Sequence, residues 1–244
     1  MTDENTETRL QIRIIPVTPL QQNCSLIWDT QTKNAVLVDP GGDADTLLGA
    51  LDHFGLTLKE MWLTHGHLDH AGAAHAIREK LGVPVIGPHK DDQFWLDQIE
   101  SSAEKYGLSD LLNVTPDRYL EDGDVLELEG VKFDVAHTPG HTPGHVVIHN
   151  RQAKIAFVGD VLFQGSIGRT DFPRGDYDTL INSITEKLWP LGDDVTFVPG
   201  HGPSSTFGQE RRTNPFVADQ LTGYGGAEKI NASTYDQKTI KRYT

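Results

Sequence analysis

The sequence predicts a mixed α/β domain made of two strand-rich halves with interspersed helices, and three observations carry that prediction. Strand-like and helical hydrophobic periods alternate between 35 and 82. A second series of short β-branched runs follows between 125 and 158, separated by glycine, proline and asparagine turn signals. The 244 residues suffice for one large buried core, and no fixed-period repeat or low-complexity linker divides them.

The elements follow in order. Residues 1–10 are polar and acidic and read as a flexible end, so the domain is expected over 11–218 with a tail over 219–244. Gln11 to Val17 and Cys24 to Trp28 read as two strands joined by a turn at Pro19 and Gln21-Gln22-Asn23. Ala35 to Val38 is a third strand, stopped by Asp39-Pro40-Gly41-Gly42. Leu47, Leu48, Leu51 and Phe54 recur at helical spacing, and Gly55 ends that helix. Met61 to Thr64 is a short buried strand, and Ala71 to Leu81 a second helix closed by Gly82. The stretch from Lys90 to Asp117 is mixed, helical in part around Phe94, Trp95 and Ile99. Strands are expected at Val125 to Leu128, Val131 to Ala136, Val146 to Ile148, Ile155 to Val158 and Val195 to Val198, with a helix from Tyr177 to Leu188 stopped before Pro190.

Composition excludes several classes. A net charge of −14 repels nucleic-acid phosphate and anionic membranes. No apolar run approaches the length of a bilayer span, and Met1-Thr2-Asp3-Glu4 lacks the start of a signal peptide. The single cysteine, Cys24, can form neither an intrachain disulfide nor a paired-thiolate zinc site. A soluble protein of a reducing compartment, the cytoplasm, is expected, with no nucleic-acid or membrane partner; the oligomeric state is not legible. What stands out is histidine, 11 in all.

His65-Gly66-His67-Leu68-Asp69-His70 packs four potential metal ligands into six residues, between a strand and a helix. Loops at strand ends are where rigid scaffolds present functional groups. A second cluster spaces His137, His141, His145 and His149 four apart, but Pro139 and Pro143, each followed by glycine, veto the helix that would align them. In this turn-rich loop His141 is the best ligand candidate, whereas His145 reads as structural or as orienting a ligand, and His137 and His149 as hydrogen-bonded strand histidines. His53, His75 and His89 are scattered and read as surface or capping residues. Two further apolar strands run straight into Gly159-Asp160 and Pro199-Gly200-His201-Gly202. If the strands end along one edge, His65, His67, His141, Asp160 and His201 can converge. Asp39 is read as a turn former or a ligand-orienting group.

In these motifs and their order the chain resembles metallo-β-lactamase-fold hydrolases, over about residues 10 to 216. The resemblance implies an αβ/βα sandwich, two packed mixed sheets flanked by helices, with a dinuclear site at one sheet edge. It implies that His65, His67 and His141 hold one metal, that Asp69, His70 and His201 hold the other, and that Asp160 bridges. Two divalent ions, zinc with iron or manganese as alternatives, suit such imidazole and carboxylate donors. They would lower the pKa of a shared water and polarise a carbonyl, with Asp69 in the catalytic machinery.

Within that superfamily the chain is similar to glyoxalase II, the hydroxyacylglutathione hydrolases, and especially their short bacterial branch. The residues concerned are Leu162-Phe163, the stretch from Gly165 through Arg169-Thr170-Asp171-Phe172 to Asp176, Glu210-Arg211 and Asn214-Pro215-Phe216. The similarity implies hydrolysis of a glutathione thioester such as S-lactoylglutathione by a metal-bound hydroxide. A thiol with a pKa near 8.5 leaves as thiolate without a general acid, unlike a lactam nitrogen. The cysteine ligand common in β-lactamases of this fold is replaced by Asp160. Longer glyoxalase II enzymes carry a Lys and a Tyr after the bridging Asp and a helical C-terminal domain; this chain has Arg169 and Asp171 there, and 43 residues follow His201. Arg169 is the substrate-binding candidate for a glutathione carboxylate, set against a loop salt bridge with Asp171. Alternatives on the same fold are a persulfide dioxygenase with one iron and, third, a flavodiiron-like redox module.

Overall fold

A computed structural model describes residues 9–108 and 111–226; the expectations for 1–8 and for 227–244 fall outside the described residues. Five strands form the first sheet: β1 Leu10–Val17, β2 Gln22–Asp29, β3 Asn34–Val38, β4 Thr57–Trp62 and β5 Val85–Ile86, in that spatial order. The first three are antiparallel neighbours, and β3, β4 and β5 run parallel. Helices α1 (Ala44–Phe54), α2 (Leu68–Ala71) and α3 (Ala74–Leu81) make the crossovers, followed by α4 (Gln93–Leu96) and α5 (Ile99–Tyr106).

The second sheet uses β6 Val125–Leu128, β7 Val131–His137, β8 Val146–Asn150 and β9 Ile155–Gly159. A small hairpin, β10 Leu162–Phe163 and β11 Ser166–Ile167, stands apart from it. Helix α6 (Tyr177–Asn182) continues into a π-helical turn, Ser183–Leu188. β12 Thr196–Pro199 then pairs parallel with β9, and β13 Ser205–Thr206 pairs antiparallel with β12 before α7 (Phe207–Thr213) and α8 (Asp219–Thr222). The spatial order is β13-β12-β9-β8-β7-β6.

Both sheets are therefore mixed, and alternating side chains give three apolar layers. Between the sheets, Ile27, Val36, Val38 and Trp62 meet Phe133, Val135, Ile148 and Phe157. Leu26, Leu37 and Met61 point the other way, against Leu47, Leu51 and Ile77 of α1 and α3. Val147, Ala156 and Phe197 face Leu180, Ile184 and Phe207. This is the αβ/βα sandwich. Trp62 and Phe133 cross the central layer edge to face, centroids 5.2 Å apart. Packing continues past 218, because Arg211 of α7 forms a two-bond ion pair with Asp219. No helix among the described residues is long and apolar enough to cross a membrane.

Two expected helices differ in detail. The one read as Ala71 to Leu81 starts earlier and is interrupted after Ala71, because the Ala73 N–H is taken by the Pro40 carbonyl at 2.9 Å. The one read as Tyr177 to Leu188 loosens into the π turn where Ser183 Oγ donates to the Pro139 carbonyl at 2.7 Å. The ends of β3, β4, β9 and β12 bring Asp39, Thr64-His65, Asp160 and Gly200-His201 to one edge, where the Asn23 N–H bonds the Gly200 carbonyl and ties the two sheets.

Phe133 is 1% exposed at the centre of the intersheet layer. Phe133→Ala is expected to cost about 3–5 kcal/mol in urea unfolding, and a loss below about 1 kcal/mol would contradict this packing.

Candidate metal centre

The loop from Thr64 to His70 is built around Asp39. Its carboxylate accepts the Thr64 N–H at 2.7 Å, the Thr64 hydroxyl at 2.6 Å and His70 Nδ1–H at 2.8 Å. Thr64 Oγ lies 3.1 Å from His65 Nδ1, so with its own hydrogen on Asp39 it accepts from that ring. His141 Nδ1 donates to the Arg169 carbonyl at 2.8 Å, and His201 Nδ1 to the Leu20 carbonyl at 3.1 Å. In each of these four rings the hydrogen bond on Nδ1 leaves Nε2 to face the centre.

Two donor sets result. His65 Nε2 and His141 Nε2 lie 3.1 and 3.0 Å from His67 Nδ1. Asp69, His70 and His201 form the second set, with His201 Nε2 3.1 Å from Asp69 Oδ2. Asp160 stands between them: Oδ1 is 3.3 Å from His70 Nε2, and Oδ2 is 3.7 Å from His141 Nε2 and 3.8 Å from His201 Nε2.

The donors fit divalent cations. A tetrahedral ion with Zn–N bonds of 2.0–2.1 Å separates its nitrogens by about 3.3 Å. The first set matches that spacing, although three imidazole lone pairs so close repel one another without a shared cation. Beside the second set, His70 Nε2 and Asp160 Oδ1 are buried 3.3 Å apart and make no hydrogen bond, a pair that an ion between them would join.

Electrostatics separate the sets in the same way. Burial holds His65 well below the usual imidazole range, and burial with the neighbouring His141 brings His67 down to about 3. His141 is lowered as well, again by burial. These rings are neutral lone-pair donors. For His70 burial works against protonation, but the carboxylates of Asp160 and Asp39 outweigh it and raise the ring well above its ordinary value. His201 is raised too, by Asp69 and Asp160 against burial. Burial disfavours the charged carboxyls of Asp69 and Asp160, yet the hydrogen bond from His201 and the charge of His70, respectively, outweigh it and hold both below the usual range.

The other histidines are elsewhere or orient. His145 Nε2 accepts the Asp160 N–H at 3.1 Å, and its ring stacks on His65 at 4.6 Å, so it holds Asp160 from behind. His137 bonds the Pro143 carbonyl at 2.8 Å, and His89 caps the turn at Lys90–Asp92. Cys24 is free and buried in the core of the first sheet.

A cavity of about 1460 Å³ opens over the two sets, reached by Asp69, Asp160, Arg169 and His201. Arg169 pairs with Asp171 through Nε and Nη2, at 2.6 and 2.8 Å, with its guanidinium 4.2 Å over the Phe172 ring. Trp95 and Phe172 bracket His67, with centroids 4.6 and 4.9 Å away. The sequence marks Phe172 only within the stretch that carries the family resemblance and Trp95 only as part of a helix, because their contacts with His67 are set by the fold. The hairpin after Asp160 is anchored by buried Glu210, which accepts the Gly165 N–H at 2.8 Å, and by buried Asn214, whose Nδ2 donates to the Ser166 carbonyl at 3.0 Å.

Comparison with known proteins agrees with this fold. Residues 17–201 match the family model of the Metallo-beta-lactamase superfamily. The chain is 50% identical over 209 residues to hydroxyacylglutathione hydrolase GloC of Haemophilus influenzae, covering 85% of this chain and 98% of that one. The BLEG-1 B3 metallo-beta-lactamase superposes with a TM-score of 0.78 at 38% identity, covering 85% of this chain and 99% of the other. TTHA1623 in a di-iron-bound form gives 0.76 at 38% identity, with 84% and 100% covered. With this fold and these relatives, the chain belongs to the metallo-beta-lactamase superfamily.

Proposed function

We propose that the chain is a thioester hydrolase of the hydroxyacylglutathione type, cleaving a glutathione thioester such as S-lactoylglutathione. The observation that carries the reading is the pair of donor sets meeting at Asp160 on the floor of one cavity. The 50% identity to a protein named hydroxyacylglutathione hydrolase supports the substrate class. His65, His67 and His141 would hold one ion, Asp69, His70 and His201 the second, with Asp160 between them; zinc is the first choice, and the nitrogen and oxygen donors also suit iron or manganese. When bound, the ions supply a lowered water pKa and Lewis-acid polarisation of the thioester carbonyl.

The chain's own groups do the rest. Asp69, with its side chain 16% exposed to the cavity, faces the place of the attacking water, and its Oδ2 and His201 Nε2, 3.1 Å apart, are both offered to the second ion. Water oxygen bonds to the acyl carbon while one of its protons passes by way of the Asp69 carboxylate to solvent, the carbon–sulfur bond breaks, and the electron pair leaves on a thiolate that needs no proton from the protein. Arg169 takes a glutathione carboxylate through Nη1, the nitrogen outside its Asp171 pairing. Free, buried Cys24 is in keeping with a reducing compartment such as the cytoplasm.

Thiol release from S-lactoylglutathione, together with metal analysis of protein purified without added metal, tests the reading. Two ions per chain and turnover abolished by a chelator are expected. Oxygen uptake with glutathione persulfide and a single iron, or turnover of a β-lactam without thioesterase activity, would overturn it.

Asp69→Ala and His141→Ala should each lower kcat by roughly 10²–10⁴-fold or more with an unchanged circular dichroism spectrum. Wild-type turnover in either variant contradicts the site. Arg169→Ala should raise KM for S-lactoylglutathione by about tenfold, the loss of one charged hydrogen bond, with kcat held within about twofold. An unchanged KM would leave Arg169 a loop salt bridge.

A further inference from the structure

Asp92, fully buried at the end of the Lys90–Asp92 turn, belongs to neither donor set. Its carboxylate nevertheless touches both histidine loops. Oδ2 accepts the Gly66 N–H at 2.9 Å and the Thr142 hydroxyl at 2.7 Å, and Oδ1 accepts the Gly144 N–H at 2.6 Å. Gly66 lies between His65 and His67, whereas Thr142 follows His141 and Gly144 precedes His145. The first loop leaves the first sheet and the second joins two strands of the second sheet, so one side chain spans the seam between the sheets at the level of the ligands.

The surroundings are shaped to this contact. A Cβ on Gly66 would lie 2.8 Å from the Asp92 carbonyl oxygen, and one on Gly144 would lie 2.5 Å from the Asp92 amide nitrogen. The two loop backbones thus approach the Asp92 turn closer than any side chain allows. The backbone adds its own tie: the His89 N–H bonds the Gly144 carbonyl at 3.1 Å.

We propose that Asp92 is a positioning residue that sets the distance between His67 and His141, whose ligand-side nitrogens are 3.0 Å apart although they come from different sheets. A carboxylate suits the task because it offers acceptor sites to three donors and no hydrogen to repel them. The inference rests on the metal-centre reading of these histidines, not on the identity of the thioester.

The test is Asp92→Asn. The amide keeps the volume but turns one acceptor oxygen into an NH2 group facing a donor, so at least one of the three bonds is lost. Zinc affinity, measured by competition with a chromophoric chelator, is expected to fall about 10–100-fold. The visible spectrum of the cobalt-substituted protein should change in band position or intensity. The rise in melting temperature on adding zinc to metal-free protein should shrink as well; being a difference between two forms of one variant, it cancels a general loss of stability. Wild-type zinc affinity and an unaltered cobalt spectrum in folded Asp92→Asn would overturn the proposal. If that variant does not fold, Thr142→Val decides, since it removes only the hydroxyl donor. A severalfold loss of zinc affinity then supports the proposal, and wild-type affinity overturns it. If wild-type protein binds no zinc at all, the metal-centre reading fails, a result distinct from equal binding by wild type and variant.

Discussion

The structure turns on the satisfaction of one desolvated carboxylate. Asp39 sits at a sheet edge, 3% exposed, with a positive φ of 52°. A buried charge of this kind is costly unless donors meet it, and here the Thr64 amide, the Thr64 hydroxyl and the His70 ring all do. Because β3 and β4 are parallel neighbours, the residue leaving β3 arrives beside the residues leaving β4. The same three bonds therefore end the strand, hold the ligand loop and fix two rings, His70 directly and His65 through Thr64. His65 serves one donor set and His70 the other, so one carboxylate registers the two sets against each other.

That arrangement explains why the centre combines neutral and charged donors without collapsing. Three imidazoles whose protonation burial suppresses present lone pairs to a common point, and the negative charge is concentrated at Asp69 and Asp160, beside the two rings whose pKa is raised. In a low-dielectric pocket this separation matters more than the overall charge of −14, most of which is solvated. The carbonyls of Arg169 and Leu20 contribute as well, because each accepts from Nδ1 and so determines which nitrogen of His141 or His201 faces inward.

The order of elements was readable because the local signals agreed with the tertiary result. Asp39-Pro40-Gly41-Gly42 stops a strand in any context, and the proline-glycine pairs around His141 exclude a helix whatever surrounds them. The compact ligand motif was legible for the same reason, since its spacing is local. Features created by long-range bonds were not. The break between α2 and α3 comes from the Pro40 carbonyl capturing the Ala73 N–H, about thirty residues apart, and Ala-Gly-Ala carries no breaker strong enough to announce it. The two-residue strands β5, β10, β11 and β13 are too short for a hydrophobic period to show. Likewise, Asp39 stays open between a turn former and a ligand-orienting group until its neighbour across the sheet is known.

The remaining question is what holds the His141 loop, rich in turns and free of helix, in place beside the strands. The answer lies in the element that also walls the cavity. Gly140 has φ of +133°, and a Cβ there would lie 2.4 Å from the backbone of Leu180, so the loop rests directly on α6. The Asp176 N–H bonds the Gly140 carbonyl at 2.8 Å, and Ser183 Oγ bonds the Pro139 carbonyl at 2.7 Å, one contact at each end of the same helix. Tyr177, Ile181 and Thr185 line the cavity from that helix and the π turn after it. A movement of this wall thus carries His141 with it. The wall of the cavity and the position of the His141 donor nitrogen thus rest on the same helix, which ties the shape of the cavity to the geometry of the candidate metal centre.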